Sequence, residues 1–151
     1  KRQSCGVCGK TALPTLEGKI AEQHDIHHQQ ILRGLELMRN QQEVFQETGG
    51  CHAAAVLDEH GEIISLAEDI GRHNAVDKVI GHLLLEDQLK MAKTLLVSGR
   101  ISYEIVIKCF RAKIPVLAAV SAPSSLAIDY AKELGVTVFA FCRQTRLTRF
   151  S

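Results

Sequence analysis

Charge of one sign is the first thing this sequence lacks. Its 18 basic and 17 acidic residues leave a formal net charge of +1 over 151 residues. Binding nucleic acid through its phosphates takes a broad basic face, so nucleic acid is not an expected partner. Long apolar runs are missing too. No stretch approaches the roughly 20 residues of a membrane-spanning helix, so no membrane is expected either. No apolar segment of the signal-peptide kind follows Lys1-Arg2-Gln3-Ser4-Cys5. The five cysteines are odd in number and sparse, unlike the dense, even sets of secreted disulfide scaffolds. Reduced thiols in the cytoplasm are the expectation. Internal repeats and low-complexity tracts are absent.

What the sequence does have is core-forming material. Hydrophobic residues make up 46 % of it, too much for a disordered chain and enough for one ordinary domain. Residues 1–14 read as an irregular arm, broken by Gly6, Gly9 and Pro14. The sequence opens almost directly on a C-x-x-C, so it reads as part of a longer chain. Residues from about 26 to 46 carry Ile31, Leu35 and Met38 on one helical face, ended by Gly49-Gly50. Ala53 to Leu57 and Glu62 to Leu66 flank Asp58-Glu59-His60-Gly61, the pattern of a hairpin. A helix follows over 72–85, with Val76, Val79, Ile80, Leu83 and Leu84 as its stripe. Buried strands at 94–98, 116–120 and 136–142 then alternate with helices at 101–112 and 123–134, the second stopped by Gly135. Uninterrupted apolar strands between amphipathic helices indicate a sheet covered on both faces. The expected fold is α/β over residues 15–151: three layers around a mixed sheet, an antiparallel hairpin followed by parallel strands.

In open α/β sheets, ligands bind beyond the carboxyl ends of the strands. Small and polar residues gather at those ends here: Ser98-Gly99-Arg100-Ile101-Ser102, Ser121-Ala122-Pro123-Ser124-Ser125 and Arg143-Gln144-Thr145-Arg146. The hairpin leads into Glu68-Asp69-Ile70-Gly71-Arg72-His73-Asn74. Three of these four segments run into helix starts, where free N–H groups and the helix dipole favour phosphate or carboxylate. Pro123 suits the first turn of its helix. For any one loop, ordinary capping explains the residues equally well. The argument is their convergence together with Arg72, Arg100, Arg143 and Arg146, whose guanidinium forks match phosphate oxygens. The competing expectation pairs these arginines with Glu68, Asp69 and Asp77.

Cys5-Gly6-Val7-Cys8-Gly9 is the sharpest motif. A C-x-x-C can lower a thiol pKa to roughly 3.5–7.5, and its flanking glycines allow close approach to another molecule. The spacing serves a redox dithiol, half a zinc site or a persulfide carrier. Spacing alone ranks half a zinc site first, but no second C-x-x-C completes it. Cys51-His52 offers the remaining ligands in principle. Cys109 reads as a buried apolar residue, and Cys142 as core or pocket lip. His52 and His73 are candidates for proton transfer or anion binding, with a structural histidine the equal alternative for each. At a helix start, His73 should favour the neutral form. His24, His27 and His28 read as a solvated face.

Taken together, Cys5-Gly6-Val7-Cys8-Gly9, Thr48-Gly49-Gly50-Cys51-His52-Ala53-Ala54, Glu68 to Lys78, Leu96-Val97-Ser98-Gly99-Arg100 and Ala119 to Ser125 resemble the FdhD family of formate dehydrogenase accessory sulfurtransferases, in the family's order. The resemblance covers essentially the whole chain and matches the C-terminal part of such proteins; their N-terminal domain is not in this sequence. It implies a cytidine deaminase-like fold. It also implies a sulfurtransferase that passes persulfide sulfur from a cysteine desulfurase to the molybdenum or tungsten bis(pterin guanine dinucleotide) cofactor of formate dehydrogenase. The family's persulfide cysteine matches Cys5, with Cys8 as alternative carrier or resolving thiol. Its cofactor-binding segment matches Phe141, Cys142, Arg143, Gln144, Thr145 and Arg146, although the family often has Pro-Gly or Gly-Gly where Gln144-Thr145 stand. Arg72, His73, Ser98, Gly99, Arg100, Ser121 and Ser124 would cradle the dinucleotide's phosphates, for which GDP is a surrogate. A homodimer is expected, and no bound metal of the protein's own.

Two further functions fit the same residues. One is a cofactor-binding chaperone that moves no sulfur. The other is a zinc-dependent deaminase, which needs H-x-E followed by P-C-x-x-C. Here Ala54 stands at the glutamate position, and Ser124-Ser125 follow Pro123.

Overall fold

A computed structural model describes residues 16–20, 27–42, 47 and 49–151. Cys5, Cys8 and the expected arm over 1–14 lie outside the described residues. Among the described residues, four α-helices and six strands follow in order: α1 (His28–Asn40), β1 (His52–Leu57), β2 (Ile63–Asp69), α2 (Arg72–Leu85), β3 (Thr94–Val97), α3 (Tyr103–Arg111), β4 (Val116–Ala119), α4 (Ser125–Leu134), β5 (Thr137–Arg143) and β6 (Arg146–Arg149). A short 3₁₀ turn, Leu89–Met91, precedes β3.

The strands form one mixed sheet in the order β2-β1-β3-β4-β5-β6. Strand β1 pairs antiparallel with both β2 and β3; β3, β4 and β5 are mutually parallel; β6 returns antiparallel on β5. The hairpin and the three neighbouring parallel strands are as the sequence predicts. Asp58 closes the hairpin by accepting the His60 and Glu62 amides at 2.9 and 3.0 Å, and Gly61 takes the left-handed φ of +78°.

Side-chain alternation builds three layers. One sheet face presents Ala53, Ala55, Leu57, Leu96, Val116, Ala118 and Phe139 to Ile31, Leu35 and Met38 of α1. The other presents Ala54, Val56, Leu95, Val97, Leu117 and Val138 to α2, α3 and α4. Helix α1 ends at Asn40 rather than near 46, because no apolar residue continues its stripe through Arg39-Asn40-Gln41-Gln42. In α2 the buried stripe is Ala75, Val76, Val79 and Leu83. Leu84 departs from the expectation and faces outward, 64 % exposed. Pro123 also departs: it precedes the α4 cap, Ser124, and forms an isolated parallel bridge with Ile101. Gly135 ends α4 with a φ of +76°, as expected.

Strand β6 is an addition to the expected fold. Its Arg-Leu-Thr-Arg sequence is mostly exposed, the charged composition that protects a sheet edge, so it lacks the apolar run that marks a buried strand. Between Ala140 and Arg143, β5 carries one more residue than β6, which makes a β-bulge. Phe139 and Cys142 stand three apart, which would place them on opposite faces of a regular strand. The extra residue returns both to the α1 face.

Gly34 fixes how closely α1 lies on the sheet. A Cβ there would come within 2.9 Å of both Leu57 and Leu96, two side chains that are themselves 1 % and 0 % exposed. Gly34→Val should therefore lower stability towards the upper end of the roughly 1–3 kcal/mol typical of overpacking. Chemical denaturation measures this; an unchanged midpoint would mean that the layer opens freely.

Candidate anion site at the carboxyl edge

Because β1 runs against β3, its first residue meets the last residues of β2 and β3. His52 lies opposite Asp69. Ser98 donates its amide to the Ala53 carbonyl (3.0 Å) and accepts the Ala53 amide on Oγ (2.9 Å). Ser121 Oγ donates to the Ser98 carbonyl at 3.3 Å, and the Phe141 amide donates to the Ser121 carbonyl at 3.3 Å. Ile101 donates to Ala122 (3.1 Å) and Ser124 to Ile101 (2.9 Å). The loops after β3 and β4 and the end of β5 are thereby tied side by side, which is the convergence that the sequence suggests.

Each expected residue can now be placed. Gly99 is buried, and a Cβ on it would approach His52 Nδ1 to 3.1 Å and Arg72 Cδ to 3.3 Å. Its missing side chain therefore brings His52 and Arg72 together. His52, a candidate for anion binding from the sequence, reaches this edge because it starts a strand that runs antiparallel to the next. Arg72 is partly buried, and burial first, then the nearby Arg100, work against its charged form. Two guanidinium groups close enough to repel each other form a natural seat for an anion.

The hydroxyls of Ser98, Ser121 and Ser124 are engaged within the protein. The first two tie loops together, and Ser124 Oγ accepts the Ala127 amide at 3.1 Å as the cap of α4. Ordinary capping is thus the right account of Ser124. Cys142 is 3 % exposed, and burial pushes its thiol up to about 11. The bulge turns its side chain into the core, one of the two settings expected for it. Cys109 is wholly buried and donates to the Ile114 carbonyl at 3.3 Å, as expected. Cys51 is a partly exposed free thiol. Arg143, Gln144, Thr145 and Arg146 are exposed around the two-residue β5–β6 turn. Gln144 has a left-handed φ of +48°, a conformation that glycine takes without strain. Phe141, at φ +54°, is 44 % exposed with its ring 5.9 Å from that of Phe150.

Two of the three carboxylates named as possible arginine partners, Asp69 and Asp77, are held by lysines. Asp69 Oδ2 lies 2.8 Å from Lys78 Nζ, and Asp77 Oδ1 lies 2.8 Å from Lys108 Nζ. Asp69 also accepts the Gly71 amide at 2.9 Å and Asn74 at 3.3 Å, which shapes the start of α2. His73 Nδ1 lies 3.6 Å from Glu104 Oε2. Burial first, then Lys108, lowers its pKa, so the neutral form expected from the helix dipole arises mainly from desolvation. His27 and His28 are exposed as expected, although the His28 ring also meets Phe139 edge-on at 5.3 Å. Among the described residues no three His, Cys, Asp or Glu side chains come together as a metal-binding group. No helix among them is long and apolar enough to cross a membrane.

Comparison with known proteins decides the family. A model of the FdhD/NarQ family matches residues 1–151. The chain belongs to that family. A "Sulfur carrier protein FdhD" from Saccharolobus solfataricus is 44 % identical over 149 residues, 98 % of this chain and 58 % of the relative. One of the same name from Streptomyces avermitilis is 48 % identical over 147 residues, 93 % of this chain and 52 % of the relative. The chain thus spans little more than half the length of these curated relatives. A crystal structure from Desulfotalea psychrophila, assigned as a formate dehydrogenase accessory protein, matches with a TM-score of 0.79 at 30 % identity, covering 88 % of this chain and 58 % of that one. The FdhD fold and the mixed α/β architecture described above therefore agree.

The Asp69 network makes a pH-dependent contribution to stability. The hydrogen bond from Lys78, then that from the Gly71 amide, lowers the Asp69 carboxyl from 3.8 to about 2. A carboxyl depressed in the folded state stabilises it above the unfolded value, and that contribution fades as pH falls through the folded value. The stability difference between the native protein and Asp69→Asn should therefore be complete above pH 4 and vanish towards pH 2. Urea midpoints at several pH values measure it. A difference that does not change with pH would mean that the Asp69 charge contributes nothing.

Proposed function

We propose that this chain carries sulfur, as a persulfide on Cys5, from a cysteine desulfurase to the molybdenum or tungsten bis(pterin guanine dinucleotide) group of formate dehydrogenase in the cytoplasm. The carrying observation is the edge itself: loops from β1 to β5 converge there, with Arg72, Arg100, Arg143 and Arg146 among them. The relatives' name, sulfur carrier, supports the same reading. The exposed Leu84 and Leu85 of α2 would suit a homodimer.

The chemistry is balanced without any outside oxidant. The Cys5 thiolate attacks the terminal sulfur of the desulfurase persulfide; an S–S bond forms at Cys5 as the donor's S–S bond breaks, and the donor leaves as thiolate. For release, Cys8 thiolate attacks the Cys5 sulfur. A Cys5–Cys8 disulfide forms and the terminal sulfur leaves as sulfide, its two electrons supplied by the cysteine pair. The dinucleotide is the bound substrate, its phosphates against Arg72 and Arg100 and the helix starts beside them. Arg143, Gln144, Thr145 and Arg146 supply the far side, and the Phe141 ring supplies an apolar wall.

Two measurements test the halves of this reading separately. Calorimetry with GDP should show Arg100→Ala and Arg146→Ala each weakening binding by roughly 1.5–3 kcal/mol, the worth of a charge-assisted contact. Unchanged affinity in both would remove the site from this edge. After incubation with a desulfurase and cysteine, mass spectrometry should find the extra sulfur on Cys5. Cys5→Ser should abolish delivery, whereas Cys51→Ser and Cys142→Ser should load normally. Normal delivery by Cys5→Ser would overturn the Cys5 assignment and move the carrier role to another thiol, whereas no extra sulfur on any cysteine would leave a chaperone that only binds the dinucleotide.

A further inference from the structure

His73 opens α2 beside Arg72, yet its Nδ1 is turned inward, buried and 3.6 Å from Glu104 Oε2 of α3. The side chain as a whole keeps 25 % of its exposure, which therefore belongs to the rest of the ring. The charged groups around the imidazole are Arg72 and Asp77 of its own helix and Glu104 and Lys108 of α3. Lys108 bridges the two helices, with Nζ 2.8 Å from Asp77 Oδ1 and 3.4 Å from the His73 carbonyl. That crosslink ties α3, which carries Glu104, to the start of α2.

We infer that His73 and Glu104 form a proton-accepting pair, so that an anion bound at the Arg72–Arg100 edge draws a proton from solvent onto His73 while Glu104 stabilises the imidazolium. The inference rests on the anion site proposed above and adds a residue, Glu104, that positions and charges its neighbour. In the free protein, burial and the cations Lys108 and Arg72 favour neutral imidazole. A bound pyrophosphate reverses the local balance, since an opposite charge favours the charged form. The imidazole value is then higher in the complex than in the free protein. Affinity is greatest below the free value, weakens as pH rises between the two values, and levels off above the bound one. A single linked proton corresponds to about tenfold in affinity per pH unit within that window.

The test is calorimetry of GDP binding to the full-length protein in buffers of different ionisation enthalpy, across about pH 5.5–8, with His73→Gln and Glu104→Gln beside the native protein. GDP's own phosphate titrates alike in all three, so differences isolate the imidazole. The expected result is net proton uptake by the native protein, none from the imidazole in His73→Gln, and a smaller uptake in Glu104→Gln with the pH window moved downward. If His73→Gln binds too weakly to measure, Glu104→Gln and NMR titration of the His73 ring with and without GDP decide the matter. GDP binding with the same proton count in the native protein and Glu104→Gln, or no change in the ring's titration, overturns the inference while leaving the site intact. Absence of GDP binding by the native protein overturns the site and the inference together.

Discussion

The antiparallel pairing of β1 with β3 governs the rest of the architecture. Had β1 run parallel to its neighbour, His52 would stand at the far end of the sheet from Ser98, and β2 would deliver Arg72 there too. With β1 reversed, its first residue and the last residues of β2, β3, β4 and β5 share one edge. The reciprocal Ala53–Ser98 hydrogen bonds seal that arrangement where the hairpin half of the sheet joins the parallel half. The small residues Ala53, Ala54 and Ala55 of β1 are all buried; with no bulk on either face, helices pack closely on both.

Much of this was legible in the sequence because it depends on local period. The apolar runs at 94–98, 116–120 and 136–142 leave few alternatives to buried strands, and the Asp58 to Gly61 turn and Gly135 have direct chemical meanings. Other features depend on contacts that periodicity does not record. Cys142 follows the core pattern only because one extra residue resets the phase of β5. Leu84 looks like part of the α2 stripe until the neighbours of Leu83 are known. Strand β6 is charged and short, so nothing apolar announces it. The proximity of His52 to Gly99 needs the strand order, which no local pattern contains.

Electrostatics at the edge depends on a division of labour between cations. The lysines, Lys78 and Lys108, pair with Asp69 and Asp77 and hold α2 to its surroundings. Compact ammonium groups suit that role. Arg72 and Arg100 instead lie near each other, and part of the Arg72 charge is desolvated. At Arg72 an arriving anion therefore meets a partly desolvated charge, whose field is less screened than that of a fully hydrated group. Replacing Lys78 or Lys108 would therefore release carboxylates towards the arginines and change the edge from a distance.

The segment before α1 sets a geometric condition on any chemistry at Cys5. Ile20 donates its amide to the Leu134 carbonyl at 2.9 Å, and Gly18 packs beside Phe110. Leu134 and Phe110 end helices that begin at the arginine edge, so this anchor lies at the opposite end of the sheet. Ten residues separate Gly18 from Cys8 and thirteen separate it from Cys5. At no more than about 3.3–3.6 Å per residue, they reach roughly 35 and 45 Å. Strand β5 alone, with 7 residues, spans about 23 Å at 3.3 Å each. Both limits exceed that span. Chain length therefore admits either cysteine at the arginine edge, and only the loss of about six or more residues between Cys5 and Gly18 would bring the Cys5 limit down to the strand's length.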